Sequence, residues 1–97
     1  MFDKKKYITR GLASEIPLFL QIFMWQCIDE MKGKKDYLQI FRLSVTDGNG
    51  QKVVHSQERP RYKKEYLFYL AFDEPVNAKI YCIDDGEHAT MLLADEY

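Results

Sequence analysis

The sequence predicts an α+β fold: a predominantly antiparallel sheet of about five to six strands, with one main helix over residues 16–32 packed on it, in the order β-α-β-β-β-β-β. Three observations carry this. Ile16, Leu20, Phe23, Met24, Cys27 and Met31 recur at helical spacing on one stripe. From Asp36 onward the chain changes to two-residue alternation in short runs. Those runs are separated by Asp47-Gly48-Asn49-Gly50 and Asp85-Gly86, whose residue types tolerate the positive φ of a hairpin turn.

Each element has its own justification. Lys5 to Leu12 reads as a strand because Tyr7, Ile8 and Thr9 favour extended backbone, with Gly11 ending it. Ser14 is the expected N-cap of the helix, and Glu15 suits the positive end of the dipole. Pro17 is tolerated in a first turn, where amides lack intrahelical partners. Gly33 between Lys32 and Lys34 reads as the stop. Asp36 to Thr46 is a strand with Tyr37, Phe41, Leu43 and Val45 on one face, if Gln39 is tolerated among them. Leu38 and Ile40 make the other face apolar at its start, as for a central strand covered twice. Gln51 to Ser56 is its hairpin partner, and Pro60 keeps the following loop out of a central strand. Lys64 to Phe72 is the strongest strand, broken by Asp73, Glu74 and Pro75. Lys79 to Asp84 and the segment after Gly86 form a last hairpin. A two-residue turn there pairs Ile83 with His88, Cys82 with Ala89 and Ile80 with Met91, so that Ile80, Cys82, Ala89, Met91 and Leu93 share one face, expected to be the core face. A short helix over 89–94 is the competing reading.

Length and composition set further bounds. Ninety-seven residues are read as one domain, 1–97. The net charge of −1 conceals a segregation: residues 1–72 carry thirteen Lys or Arg against eight acids, and residues 73–97 carry one Lys against seven. Such asymmetry can mark a nucleic-acid face beside an acidic tail, but because the acidic segment has a strand pattern, its charge is expected to meet the basic part within one fold. Cys27 and Cys82 fall on apolar faces without CxxC spacing, so they read as buried thiols and indicate neither zinc nor a dithiol site. No signal-peptide h-region follows Lys4–Lys6, and the apolar helix falls short of the roughly 20 residues that span a bilayer. The expectation is a cytoplasmic protein without a membrane segment.

The polar constellations give little chemistry, and the reading leans away from an enzyme. His55 lies in His55-Ser56-Gln57-Glu58, where His55 and Glu58 form a candidate polar site. Adjacent strand residues face opposite ways, so His55 and Ser56 are no catalytic pair, and no nucleophile elbow exists. Asp84, Asp85, Glu87 and His88 crowd one tip, but turn geometry explains Asp-Gly without a metal. No cofactor is expected. Arg59, Arg61, Lys63, Lys64 and Tyr66 interleave basic and aromatic groups, as sheet platforms for single-stranded nucleic acid do. The plainer reading is a basic loop entering a buried strand.

The feature that ordinary folding does not explain is on the helix. Leu18, Ile22 and Trp25 sit at i, i+4 and i+7, roughly opposite the core stripe. Either this chain covers them, or a second copy or another protein does; tryptophan favours an interface. The expected function is therefore a non-enzymatic interaction module associating through the helix, as a homo-oligomer or with a protein partner. Nucleic-acid binding through 59–69 is the alternative.

The runs Tyr7-Ile8-Thr9-Arg10-Gly11, Glu15-Ile16-Pro17, Trp25 with Ile28-Asp29, Asp36 to Phe41, His55 to Glu58 with Pro60 and Tyr62, and Met91 to Tyr97 carry a resemblance. Together they resemble a domain-of-unknown-function family of short proteins, about a hundred residues long, from low-GC Gram-positive bacteria. The resemblance spans nearly the whole chain and matches least well from Phe72 to Lys79. It implies a bacterial, cytoplasmic protein and carries no activity, cofactor or catalytic residue.

Overall fold

The computed structural model describes residues 1–71 and 74–97. Six strands form one mixed sheet: β1 (Lys6–Ile8), β2 (Leu38–Thr46), β3 (Gly50–Gln57), β4 (Tyr62–Tyr69), β5 (Ala78–Asp84) and β6 (Ala89–Leu93). Their order across the sheet is β1-β6-β5-β2-β3-β4. All neighbours are antiparallel except β1, which runs parallel to β6. The predicted α+β class and strand order hold, with one addition: two helices, α1 (Arg10–Glu15) and α2 (Leu18–Asp29), stand where a single helix and the tail of a strand were expected.

Proline is the physical reason for the division. It disfavours helical backbone at the residue before it, and Ile16 is extended at φ −112°, ψ 121°. The turn ahead of it closes on its own cap: the Thr9 hydroxyl accepts the Leu12 amide at 3.2 Å. Hence β1 is only three residues long, and Gly11 lies inside α1. Ser14 caps nothing; its hydroxyl donates to the Gly11 carbonyl, and Pro17 stands at the start of α2 without a side-chain cap. The main helix ends at Asp29, with Gly33 taking its positive φ of 88° in the loop beyond.

One face of the sheet bears the core. Phe41, Leu43, Val53, Ile80, Cys82, Met91 and Leu93 meet Leu12, Ile16, Leu20, Met24, Cys27 and Ile28 from the helices. Alternation places these strand residues on one side. Phe2 is buried at the same core, held by its amide donating to Asp84 Oδ2 at 2.7 Å. Leu38, Ile40, Tyr81 and Ile83 are half-buried on the second face, opposite the side on which α1 and α2 pack. Tyr97 packs edge-on against Tyr81 there, ring centroids 5.6 Å apart.

The last hairpin departs from the predicted register by two residues: Asp84 pairs with Ala89, Cys82 with Met91 and Ile80 with Leu93. Asp side chains set the longer loop. Asp84 Oδ1 accepts the Gly86 amide at 2.8 Å, and Asp85 Oδ1 accepts those of Glu87 and His88, both at 3.0 Å. A shift of two keeps every side chain on its face, so the expected inner set Ile80, Cys82, Ala89, Met91 and Leu93 is unchanged. Residues 89–93 are strand, and a 3-10 turn, Ala94–Glu96, follows. The strand expected over 64–72 is β4, an edge strand beginning two residues earlier at Tyr62. Phe72 and Asp73, its expected end and break, lie outside the described residues.

Candidate functional site

The outer face of α2 separates into two parts. Leu18 is 67% exposed and Ile22 49%, with Phe19 beside them at 38%. Trp25 is half-buried and packs on the core, with the Lys6 ammonium 5.6 Å from its ring centroid. The chain thus covers Trp25 in part and leaves Leu18 and Ile22 in solvent. On the flank nearer β4, Phe23 packs edge-on against Tyr66 and Phe68, each at 5.1 Å. On the other flank a groove of 530 Å³ runs between α1, β1 and α2, lined in part by Ile8, Ile16, Pro17 and Leu18. From Leu18 to Ile28 the helix bears no charged residue.

A polar network lies under the sheet face near β3. The inner face of β3 reads Gln51, Val53, His55, Gln57, and all four are buried. His55 is 0% exposed, stacked on Phe41 with centroids 4.3 Å apart and edge-on to Tyr62 at 5.3 Å. Its Nε2 is 2.6 Å from Gln39 Oε1. An amide oxygen can only accept, so this contact assigns the His55 proton to Nε2. Gln39 Nε2 donates to Gln57 Oε1 at 2.6 Å and to the Asp36 carbonyl at 2.9 Å. Gln57 Nε2 donates to the carbonyls of Lys34 at 3.1 Å and Pro60 at 2.8 Å. Both glutamines use both amide hydrogens. The relay ends at His55 Nδ1, a buried acceptor with no partner.

That arrangement favours the neutral ring. Burial lowers the His55 pKa from 6.5 to about 4. Glu58 stands on the exposed β3–β4 loop, and neither ring nitrogen of His55 bonds to it. These two residues are not brought into one site. His55 sits in the core beside Gln39 and Gln57; Gln39 was expected on this face, whereas Gln51 and Gln57 were not singled out from the sequence. Their signal was available as the shared parity of Gln51, Gln57, His55 and Val53.

The basic-aromatic strand is divided between faces. Tyr66 faces α2, and the Lys64 ammonium lies 5.3 Å above its ring. Lys63 points the other way, 3.9 Å from Glu65, which also pairs with Lys52 at 3.1 Å. Arg59 and Arg61 are exposed in the loop. The aromatic side of β4 is therefore occupied by the protein's own helix.

The acidic tip is internally engaged. Asp84 Oδ2 takes the Phe2 amide and the Lys4 ammonium, at 2.7 and 2.9 Å. Burial alone would raise the Asp84 pKa, but these bonds and the Gly86 amide hold it down to about 2. Asp85 pairs with His88 at 3.2 Å. Among the described residues, no three His, Cys, Asp or Glu converge as a metal site. Cys27 and Cys82 are free and buried, and burial pushes both thiols up. Among the described residues, no helix is long and apolar enough to cross a membrane.

Comparison with known proteins agrees with the fold. A crystal structure of a protein of unknown function from Enterococcus faecalis is similar, with a TM-score of 0.83 and 24% identity. The match covers 98% of this chain and 92% of that one. No curated protein matches. A family model described as "Staphylococcal protein of unknown function (DUF960)" matches residues 5–96. The chain belongs to that family.

Proposed function

We propose that this protein is a non-enzymatic interaction module that pairs with a second copy of itself through the outer face of α2. The observation that carries the reading is the exposure of Leu18 and Ile22 at one helical turn's spacing. Leaving such side chains in water forfeits roughly 1.5–3 kcal/mol each.

A second copy suits this face because the face is self-complementary. Two-fold pairing centred on Ile22 sets Ile22 on Ile22, Leu18 opposite Gln26 and Phe19 opposite Trp25. No charge lies between Leu18 and Ile28 to oppose it. Size limits the strength. The exposed parts of Leu18, Phe19 and Ile22 amount to about 300 Å², at the low end of functional patches. A standard interface buries about 800 Å² per partner. The association is therefore weak, with a Kd on the order of tens of micromolar.

Sedimentation equilibrium tests this. The mass should rise from 11.5 kDa toward twice that value over about 10–500 μM, a range bracketing the expected Kd. Ile22→Glu should hold the monomer mass throughout. A strict monomer in the unsubstituted protein, or a dimer indifferent to Ile22→Glu, defeats the proposal.

A further inference from the structure

Two loops distant in sequence form one basic end of the molecule. Residues 32–37 follow α2, and residues 57–64 span the β3–β4 turn. Gln57 ties them together: its Nε2 donates to the Lys34 and Pro60 carbonyls, and its Oε1 accepts the Asp36 amide at 2.8 Å. Asp36 adds a second tie by accepting the Arg59 amide at 3.0 Å. One nitrogen bonded to both carbonyls holds those oxygens within about 6 Å of each other.

These segments carry seven Lys or Arg against two acids, Asp36 and Glu58. Among the described residues, none of Lys34, Lys35, Arg59 and Arg61 is in an ion pair. In a chain of net charge −1 these two segments thus carry an excess of five positive charges; Lys63 alone of the seven cations has an ion-pair partner among the described residues, Glu65, and the loops are tied together by amide hydrogen bonds. Tyr37 adjoins them, 51% exposed, and its carbonyl is fixed by the Asp84 amide at 2.9 Å.

We infer that this end binds single-stranded nucleic acid, with Lys34, Lys35, Arg59 and Arg61 on phosphates and Tyr37 stacked on a base. The cations are spread over two loops, which suits an extended polyanion better than a single small anion. An exposed tyrosine among them needs an unpaired base to stack on. The surface is separate from the Leu18–Ile22 face and does not depend on it.

Fluorescence anisotropy with a labelled twelve-nucleotide oligouridine tests the inference. About four phosphate contacts give a log–log salt slope near −3, so affinity should fall about fiftyfold between 50 and 200 mM salt. Lys34→Glu with Arg61→Glu should abolish binding at 50 mM, while Arg10→Glu on α1 should not. Tyr37→Ala should weaken binding about tenfold at unchanged salt slope. Competition by inorganic polyphosphate should need higher concentrations and be indifferent to Tyr37→Ala. Three results overturn the inference: no binding at 50 mM salt; a double variant no weaker than Arg10→Glu; or polyphosphate and oligouridine binding alike with Tyr37→Ala silent.

Discussion

Acidifying the protein from pH 7 to pH 4.5 should remove a large part of its stability through His55 alone. The ring titrates at about 4 when folded, against 6.5 for an exposed histidine. Between these values the unfolded chain binds a proton that the native state refuses, so stability falls as pH falls. The contribution is complete above 6.5 and lost progressively toward 4. Each pKa unit is worth about 1.4 kcal/mol, which puts the full span at about 3 kcal/mol. His55 is fully buried, so no solvent screening reduces this. A domain of this size has about 5–10 kcal/mol in total. Urea titration followed by the single tryptophan, Trp25, reads the effect; the midpoint should drop by about 2 M from pH 7 to pH 4.5. The control is His55→Gln, whose amide can still donate to Gln39 Oε1 but does not titrate. Losing the stack on Phe41 should cost about 1 kcal/mol at every pH, while the His55 part of the pH dependence disappears. A wild-type midpoint flat over this range would refute the reasoning, as would an equal slope in His55→Gln.

Asp84 governs a separate, more acidic window. Its folded pKa is about 2 against 3.8, so its contribution of about 2 kcal/mol is present above pH 3.8 and lost as pH falls through 2. Asp84→Asn should abolish that acid step and speed amide exchange at Phe2, whose partner it weakens; retention of both would show that Lys4 and Phe2 are held otherwise. Gln57→Ala removes one side chain that satisfies the Asp36 amide, the Gln39 side-chain amide and two loop carbonyls. It should cost about 2–4 kcal/mol in urea melts and free the Asp36 amide to exchange, and a loss under about 1 kcal/mol would contradict the clamp.

Local sequence determined most of the sheet. Asp47 to Gly50 forced a turn: Gly48 and Asn49 sit at φ 69° and 68°, and β2 and β3 pair directly across it. Parity alone identified the inner residues of β5 and β6, which survived even a two-residue slip in register. The helical stripe likewise pointed to Leu20, Met24 and Cys27 in the core and to Leu18 and Ile22 away from it.

Tertiary structure decided what lies between elements. The parallel pairing of β1 with β6 joins the two ends of the chain, and no local pattern encodes it. The closure of α1 depended on Thr9 and on Pro17 acting from opposite sides of a short segment. Trp25 is partly covered because it packs against the core, with Lys6 from a strand elsewhere in the chain over its ring. The buried glutamines are the clearest case. Alone, each is a polar residue that belongs in solvent; in the fold Gln39 and Gln57 satisfy one another together with His55 and hold Lys34 beside Pro60, while Gln51 bonds the Val76 backbone. Periodicity reports which way a side chain points, a property of backbone geometry within one element. It does not report which side chain it will meet, because that depends on segments many residues apart in sequence. The candidate surfaces follow the same division: the stripe on α2 was readable from spacing, whereas the basic end exists only because Gln57 brings two loops together.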